Sequence, residues 1–423
     1  MRILEIRLFN FRNLHEQHLK LSPQLNLFLG PNGQGKTNLL EAFHFILRGD
    51  SFRYTEADSL KNYNAPFARV DAKIAIGGLV HEVRASLENN RKSFFMNGKR
   101  CTPRDLHQKF HAVLFSPESL AEVKESAEHR RDLIDQVLEM SSPRHLDLLE
   151  DFKKVLKTRN RLLRDRQSVT EVGALNMLDR VLESLQPQFL SLATDLTYER
   201  LQILAALQND FQSHMRSISA SMTVDISVDY LISQQSAQCM TKLAIESLLH
   251  QRLQELVSAE KSHGGSLVGP QKHEIRFLLN GKDSRFYASQ GQQRALIISF
   301  KLAQIVYHRL LRGNCPVLLL DDVLSELDAG KRSALITFLK GMDAQTFVTS
   351  TDLGLSQTFS EFNSDVSWIQ DGRLHKPDMA ESPIPENAIV NTFTFENVLE
   401  NGFKKLGQEL SQEAGDQELN SVR

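Results

Sequence analysis

Residues 30–37 read Gly30-Pro31-Asn32-Gly33-Gln34-Gly35-Lys36-Thr37, a GxxxxGK[ST] pattern whose parts all suit a polyphosphate. Its glycines let backbone N–H groups curl around phosphate oxygens, at the positive end of a helix expected to begin near Lys36. The Lys36 ammonium would face the β- and γ-phosphates of ATP, and the Thr37 hydroxyl would hold Mg2+. A glycine-rich turn could match by chance, but the context is right. Leu25, Leu27 and Leu29 alternate as a strand before it, and the helical run LLEAFHFIL follows.

The complementary acids lie far downstream. In Val317-Leu318-Leu319-Leu320-Asp321-Asp322 four apolar residues predict a buried parallel strand, which delivers two carboxylates at its C-terminal end. Asp321 suits the Walker B role of orienting magnesium through water, and Asp322 is placed to polarise an attacking water. Ser289-Gln290-Gly291-Gln292-Gln293 opens another predicted helix. There Ser289 can cap the helix, and Gly291 leaves the backbone, with Gln292 beside it, open to a phosphate. A plain helix cap would explain this segment taken alone. Its order ahead of Asp321-Asp322, and then Ser325-Glu326-Leu327-Asp328, instead matches the signature, Walker B and D-loop succession of ABC-type ATPases.

These residues need a scaffold that brings distant segments together. The expected fold class is α/β, a P-loop ABC-type ATPase lobe with an inserted all-helical arm. Residues 1–117 read as strands around the P-loop helix, with a tight hairpin at Asn97-Gly98. Residues 118–263 nearly lack glycine and carry helically spaced apolar stripes, such as Leu149, Phe152, Leu156 and Leu163, broken at Pro143 and around 168–173. Residues 264–373 return to alternating strands and helices, including a second hairpin at Asn280-Gly281. Residues 374–423 are polar and proline-interrupted, read as a loosely ordered tail with a short helix conceivable over 393–406.

Composition bounds the function. The 423 residues are 41% hydrophobic and 24% charged with a formal net charge of -2, so nucleic-acid binding would need a local basic surface. One such surface is Lys154, Lys157, Arg161 and Arg164 on the arm; a solvated helix face is the equal alternative. The three scattered cysteines give neither a disulfide framework nor a CxxC metal site. With no signal peptide and no apolar run of membrane length, a cytoplasmic protein without a membrane partner is expected. His107 and His111 stand four apart but lack the Glu of HExxH, and read as ordinary surface histidines.

Taken together, Leu8-Phe9-Asn10-Phe11-Arg12-Asn13, the P-loop, Phe115-Ser116-Pro117-Glu118, Arg130-Arg131, Ser289 to Gln293 and Asp321 to Asp328 resemble the bacterial RecF family, over residues 1 to about 373. The resemblance implies a recombinational-repair protein that binds DNA when ATP-bound and dimerises at single-strand gaps. It further implies work with RecO and RecR to help RecA displace single-strand-binding protein. Three departures from general ABC motifs stand out. Ser116 occupies the Q-loop glutamine position and Thr351 the H-loop histidine position; the second Walker B acid is Asp322 rather than Glu. Slow turnover suited to a timing switch follows. A transporter subunit or a nuclease-coupled ATPase is the alternative, although the transporter would place its P-loop and signature closer together.

Overall fold

The computed structural model describes residues 1–53, 57–63, 65–121, 123–359 and 364–376. Leu25–Leu29 (β3) is buried at every position because it lies inside a parallel sheet, covered on both faces. The sheet runs Arg373–His375 (β16), Ser364–Gln370 (β15), β3, Thr346–Ser350 (β14), Val317–Asp321 (β13) and Ala112–Phe115 (β8). From β15 to β8 all neighbours are parallel, and only β16 is antiparallel. The ends of β3 and β13 therefore open on one edge, where the P-loop and the paired acids meet.

A second, antiparallel sheet has the order Gln17–Lys20 (β2), Arg2–Phe9 (β1), Phe67–Ile76 (β4), Leu79–Glu88 (β5), Arg91–Met96 (β6) and Lys99–Cys101 (β7). Lys36–Arg48 (α1) packs between the two sheets through Phe43, whose ring lies 4.2 Å from Phe347 and 6.2 Å from Phe28. Pro103–Lys109 (α2) and Pro117–Ala121 (α3) flank β8. The opposite face of the parallel sheet is covered by Gln290–Arg312 (α9) and the arm helices, all in one apolar cluster. Short Ser284–Tyr287 (α8) precedes α9; Ala329–Lys340 (α10) and Leu355–Thr358 (α11) follow it.

The arm consists of Ala127–Ser141 (α4), Pro143–Ser168 (α5), Val172–Ser219 (α6) and Lys242–His263 (α7). The stripe Leu149, Phe152 and Leu163 is buried as its spacing predicts. Buried ion pairs fasten the helices. Arg200 grips Asp135 with two 2.8 Å bonds, and Arg159 meets Glu260 at 2.6 Å. Arg130, only 1% exposed, bonds Glu274 and the carbonyls of Val123, Glu125 and Ile275.

Two expectations need correction. The 118–263 segment is not helical throughout: Ile226–Ile232 (β9) and Gln235–Ser236 (β10) form strands. They join Glu274–Leu279 (β11) and Lys282–Asp283 (β12) in a four-stranded sheet, order β10-β9-β11-β12. Apart from the short β10, β9 pairs with β11, where Leu231 lies opposite Glu274, so no local pattern announces the sheet. Nor are His107 and His111 surface residues. His111 is 5% exposed and shares a 2.8 Å bond with buried His308, while His107 is partly buried at the end of α2. The tail read as residues 374–423 contributes β16 at its start; positions 377–423, including the suggested 393–406 helix, lie outside the described residues.

Candidate nucleotide site

The P-loop leaves β3 through Gly30 because no side chain fits there: a Cβ would lie 2.3 Å from the Ile369 carbonyl oxygen on β15. Gly35 caps α1 in a left-handed conformation, φ 113°, packed on Asn13 and Leu14. Pro31, Asn32 and Gly33 form the exposed or partly exposed rim, and Gln34 is tied back by a 2.6 Å bond from the Asp371 backbone N–H. The loop is thus clamped from the β15–β16 turn on one side and from the Asn10–Asn13 turn on the other. Asn13 accepts a 2.7 Å bond from the Asn38 amide and donates to the Gly33 carbonyl.

Within this frame Lys36 and Thr37 face the acids. The nearly buried Lys36 ammonium donates to the Gly30 and Pro31 carbonyls at 2.8 Å each. Burial lowers its pKa, opposed by the charges of Asp322 and Asp321. The Thr37 hydroxyl donates to Asp321 at 2.9 Å, and Thr349 on β14 donates to the same oxygen at 2.8 Å. Burial raises the Asp321 pKa, and these two hydroxyl bonds oppose it. Two oxygens so placed, one hydroxyl and one carboxylate, suit a hard cation such as magnesium that keeps most of its waters. Asp322 follows in the left-handed region, φ 51°, its backbone N–H held by Thr349. One of its carboxylate oxygens is buried without a protein partner. An acid in that state is available to a water or a ligand.

Asn32, Gly33, Gly35, Lys36, Thr37, Asp321 and Asp322 line a common pocket of 290 Å³, which also takes in Asn38 and Arg53. Arg53 was not legible in the sequence; its Nη1 donates to Asn38 at 2.8 Å. Ser289 and Gly291 do not line this pocket. Ser289 is exposed at the N-cap of α9, in a capping box with Gln292: each residue's backbone N–H bonds the other's side chain, at 2.9 and 3.3 Å. Arg294 on the same helix ties to Glu326 of the D-loop at 3.1 Å, a link the sequence did not disclose. On α5, Lys154, Lys157, Arg161 and Arg164 are all exposed along one face, with Asp151 and Asp165 beside it.

Known proteins similar to this chain point to one family. The sequence profile described as "RecF/RecN/SMC N terminal domain" matches residues 2–371. "DNA replication and repair protein RecF" of Lysinibacillus sphaericus is 33% identical over 354 residues, covering 84% of this chain and 94% of that protein. The chain belongs to the RecF family. The RecF of Heliobacterium modesticaldum is 31% identical over 378 residues, 89% of this chain and 99% of its own length. Among solved structures, "the recombination mediator protein RecF-ATP in RecFOR pathway" superposes with a TM-score of 0.77 at 28% identity, covering 89% of this chain and 97% of that one. An Smc head bound to part of ScpA shares the fold, at 16% identity and a TM-score of 0.51. The RecF resemblance and the α/β ABC-type lobe are therefore established. No helix among the described residues is long and apolar enough to cross a membrane.

Proposed function

We propose that this protein is an ATP-gated DNA-binding clamp of recombinational repair, released by slow hydrolysis of ATP. The observation that carries the reading is the convergence of Thr37 with Asp321, 284 positions further along the sequence, and its neighbour Asp322, beside Lys36. Lys36, with the N–H groups of residues 33–37, would hold the triphosphate, and Thr37 and Asp321 would hold Mg2+, which supplies charge neutralisation on the phosphates. Asp322 would orient water for attack on the γ-phosphate.

Ser289, Gly291 and Gln292 have no part in their own chain's pocket, which supports a task in trans. Two copies would meet head to tail in two-fold symmetry, each presenting α9 to the other's nucleotide. The exposed cations of α5 would then add phosphate contacts to DNA, and RecR, RecO and indirectly RecA would be the protein partners. The test is binding to gapped, duplex and single-stranded DNA, with and without ATP. Affinity for gapped DNA should rise with ATP; equal affinity in both conditions would remove the gate.

A further inference from the structure

Along positions 32–37 of the P-loop, Asn32, Gly33, Gly35, Lys36 and Thr37 line the nucleotide pocket and Gln34 does not. Its oxygens meet the turn between β15 and β16 instead. The Asp371 N–H donates to the Gln34 side-chain Oε1 at 2.6 Å, and the Gly372 N–H donates to the Gln34 backbone carbonyl at 3.1 Å. Asp371 and Gly372 both take positive φ, 48° and 70°, while Gln370 and Arg373 pair across the hairpin. An Asp-Gly pair adopts this two-residue turn readily, and its two central N–H groups stay out of the ladder. The turn is wedged on its other side as well. The Gly372 carbonyl accepts from the His15 N–H at 3.2 Å, and no side chain fits at Gly372 against the Asn13 carbonyl. Asn13 in turn supports Gly33 and Gly35. Those two glycines, at φ 80° and 113°, give the loop many conformations, of which a phosphate accepts few. Fixing the loop before the ligand arrives removes that entropic cost from binding.

We propose that Gln34 is a positioning residue that latches the P-loop to the Asp371-Gly372 turn, so that nucleotide binding and the seating of the β15–β16 hairpin form one coupled equilibrium. The proposal rests on the P-loop reading above. With the latch closed, the loop's N–H groups are held ready for phosphate. With it open, only a fraction of the molecules is competent, and the apparent affinity falls by that fraction. Coupling is reciprocal, so bound nucleotide tightens the turn by the same factor. The chemical step lies outside the latch, because Lys36 and Thr37 are held by other bonds, to the Gly30 and Pro31 carbonyls and to Asp321.

Gln34→Met keeps the length of the side chain and removes its acceptor. Calorimetric titration of the full chain with ATP and magnesium should show Kd raised about threefold to tenfold, the worth of one hydrogen bond. In steady-state hydrolysis the loss should fall on KM rather than on kcat. Amide hydrogen exchange supplies a reading that a merely structural bond would not move. In the wild-type chain ATP should slow exchange across residues 370–373, and in Gln34→Met that slowing should be reduced. Wild-type ATP affinity in Gln34→Met would overturn the proposal, as would a loss confined to kcat. So would exchange at 370–373 that is indifferent to ATP in the wild-type chain. Nucleotide binding undiminished in Lys36→Ala would instead remove the P-loop reading itself, and the latch with it.

Discussion

At the residue scale, the site divides into groups that hold charge and groups that direct it. Lys36 is held by two carbonyls of its own loop, so removing it leaves the fold intact while deleting the cation facing the phosphates. Lys36→Ala should weaken ATP binding roughly tenfold to a hundredfold, the worth of a charge-assisted bond; calorimetry on the purified variant measures it, with an unchanged circular-dichroism melt as control. Asp322 calls for a different substitution. Its left-handed backbone is one that Asn adopts at less cost than Ala, so Asp322→Asn separates charge from strain. Hydrolysis should drop about a hundredfold or more while ATP binding persists, and a single-turnover assay with pre-bound ATP would reveal an unchanged rate. That Lys36, Thr37, Asp321 and Asp322 would line one pocket was legible because their motifs encode local geometry. Arg53 carries no such spacing. It reaches the pocket through the loop after α1, and only the folded chain brings it there.

At the scale of elements, the readable features were those fixed by neighbours in sequence. Asn97-Gly98 and Asn280-Gly281 both sit at positive φ in tight hairpins, as their residue types dictate. The β9–β10 hairpin was hidden because its turn uses Ser233 and Gln234, at φ 50° and 70°, in a stretch without glycine. Its main strand pairing, to β11, lies across the whole of α7. The His111–His308 pair, likewise invisible in the sequence, joins β8 to α9 and sets a pH dependence. Burial pushes His111 down to about 3 and His308 to about 4, from ordinary values of 6.5. The unfolded chain therefore binds protons first as pH falls. The stability of the neutral pair is complete above pH 6.5 and is lost as pH drops toward 4, at about 1.4 kcal/mol per pH unit for each histidine that stays neutral. Thermal melts from pH 7.5 to 4.5 should show this slope, and replacing both histidines with Leu should flatten it. An identical slope in the double variant would place the acid sensitivity elsewhere, buried His273 being the next candidate.

For the molecule as a whole, the question is whether function needs two copies and a basic arm. Ser289→Arg costs only a helix cap within its own chain, about 1 kcal/mol, so ATP binding should survive. ATP-induced pairing, followed by light scattering, should be lost along with hydrolysis. Mixing Ser289→Arg with Lys36→Ala should restore part of the hydrolysis, since one composite site then has an intact P-loop facing an intact α9. No recovery, together with wild-type behaviour of Ser289→Arg alone, would point to a monomeric ATPase. Charge reversal of Lys154, Lys157, Arg161 and Arg164 should weaken ATP-dependent DNA binding and flatten the log–log salt dependence by about 0.9 per lost contact on duplex DNA. An unaltered slope would leave the α5 cations as a solvated face.

The strand order of the parallel sheet also constrains how the chain can be made. β3 has as its neighbours β14 and β15, which span residues 346–350 and 364–370. A ribosome therefore exposes the P-loop strand more than three hundred residues before either of its partners exists. Until then a five-residue strand, apolar at all positions but Asn26 and with two unpaired edges, emerges into solvent, a condition that favours capture by chaperones or by other nascent chains. Chains that terminate early should accordingly be insoluble rather than partly active, and arrest at successive lengths should give protease-resistant ATPase lobe only once β15 has cleared the exit tunnel.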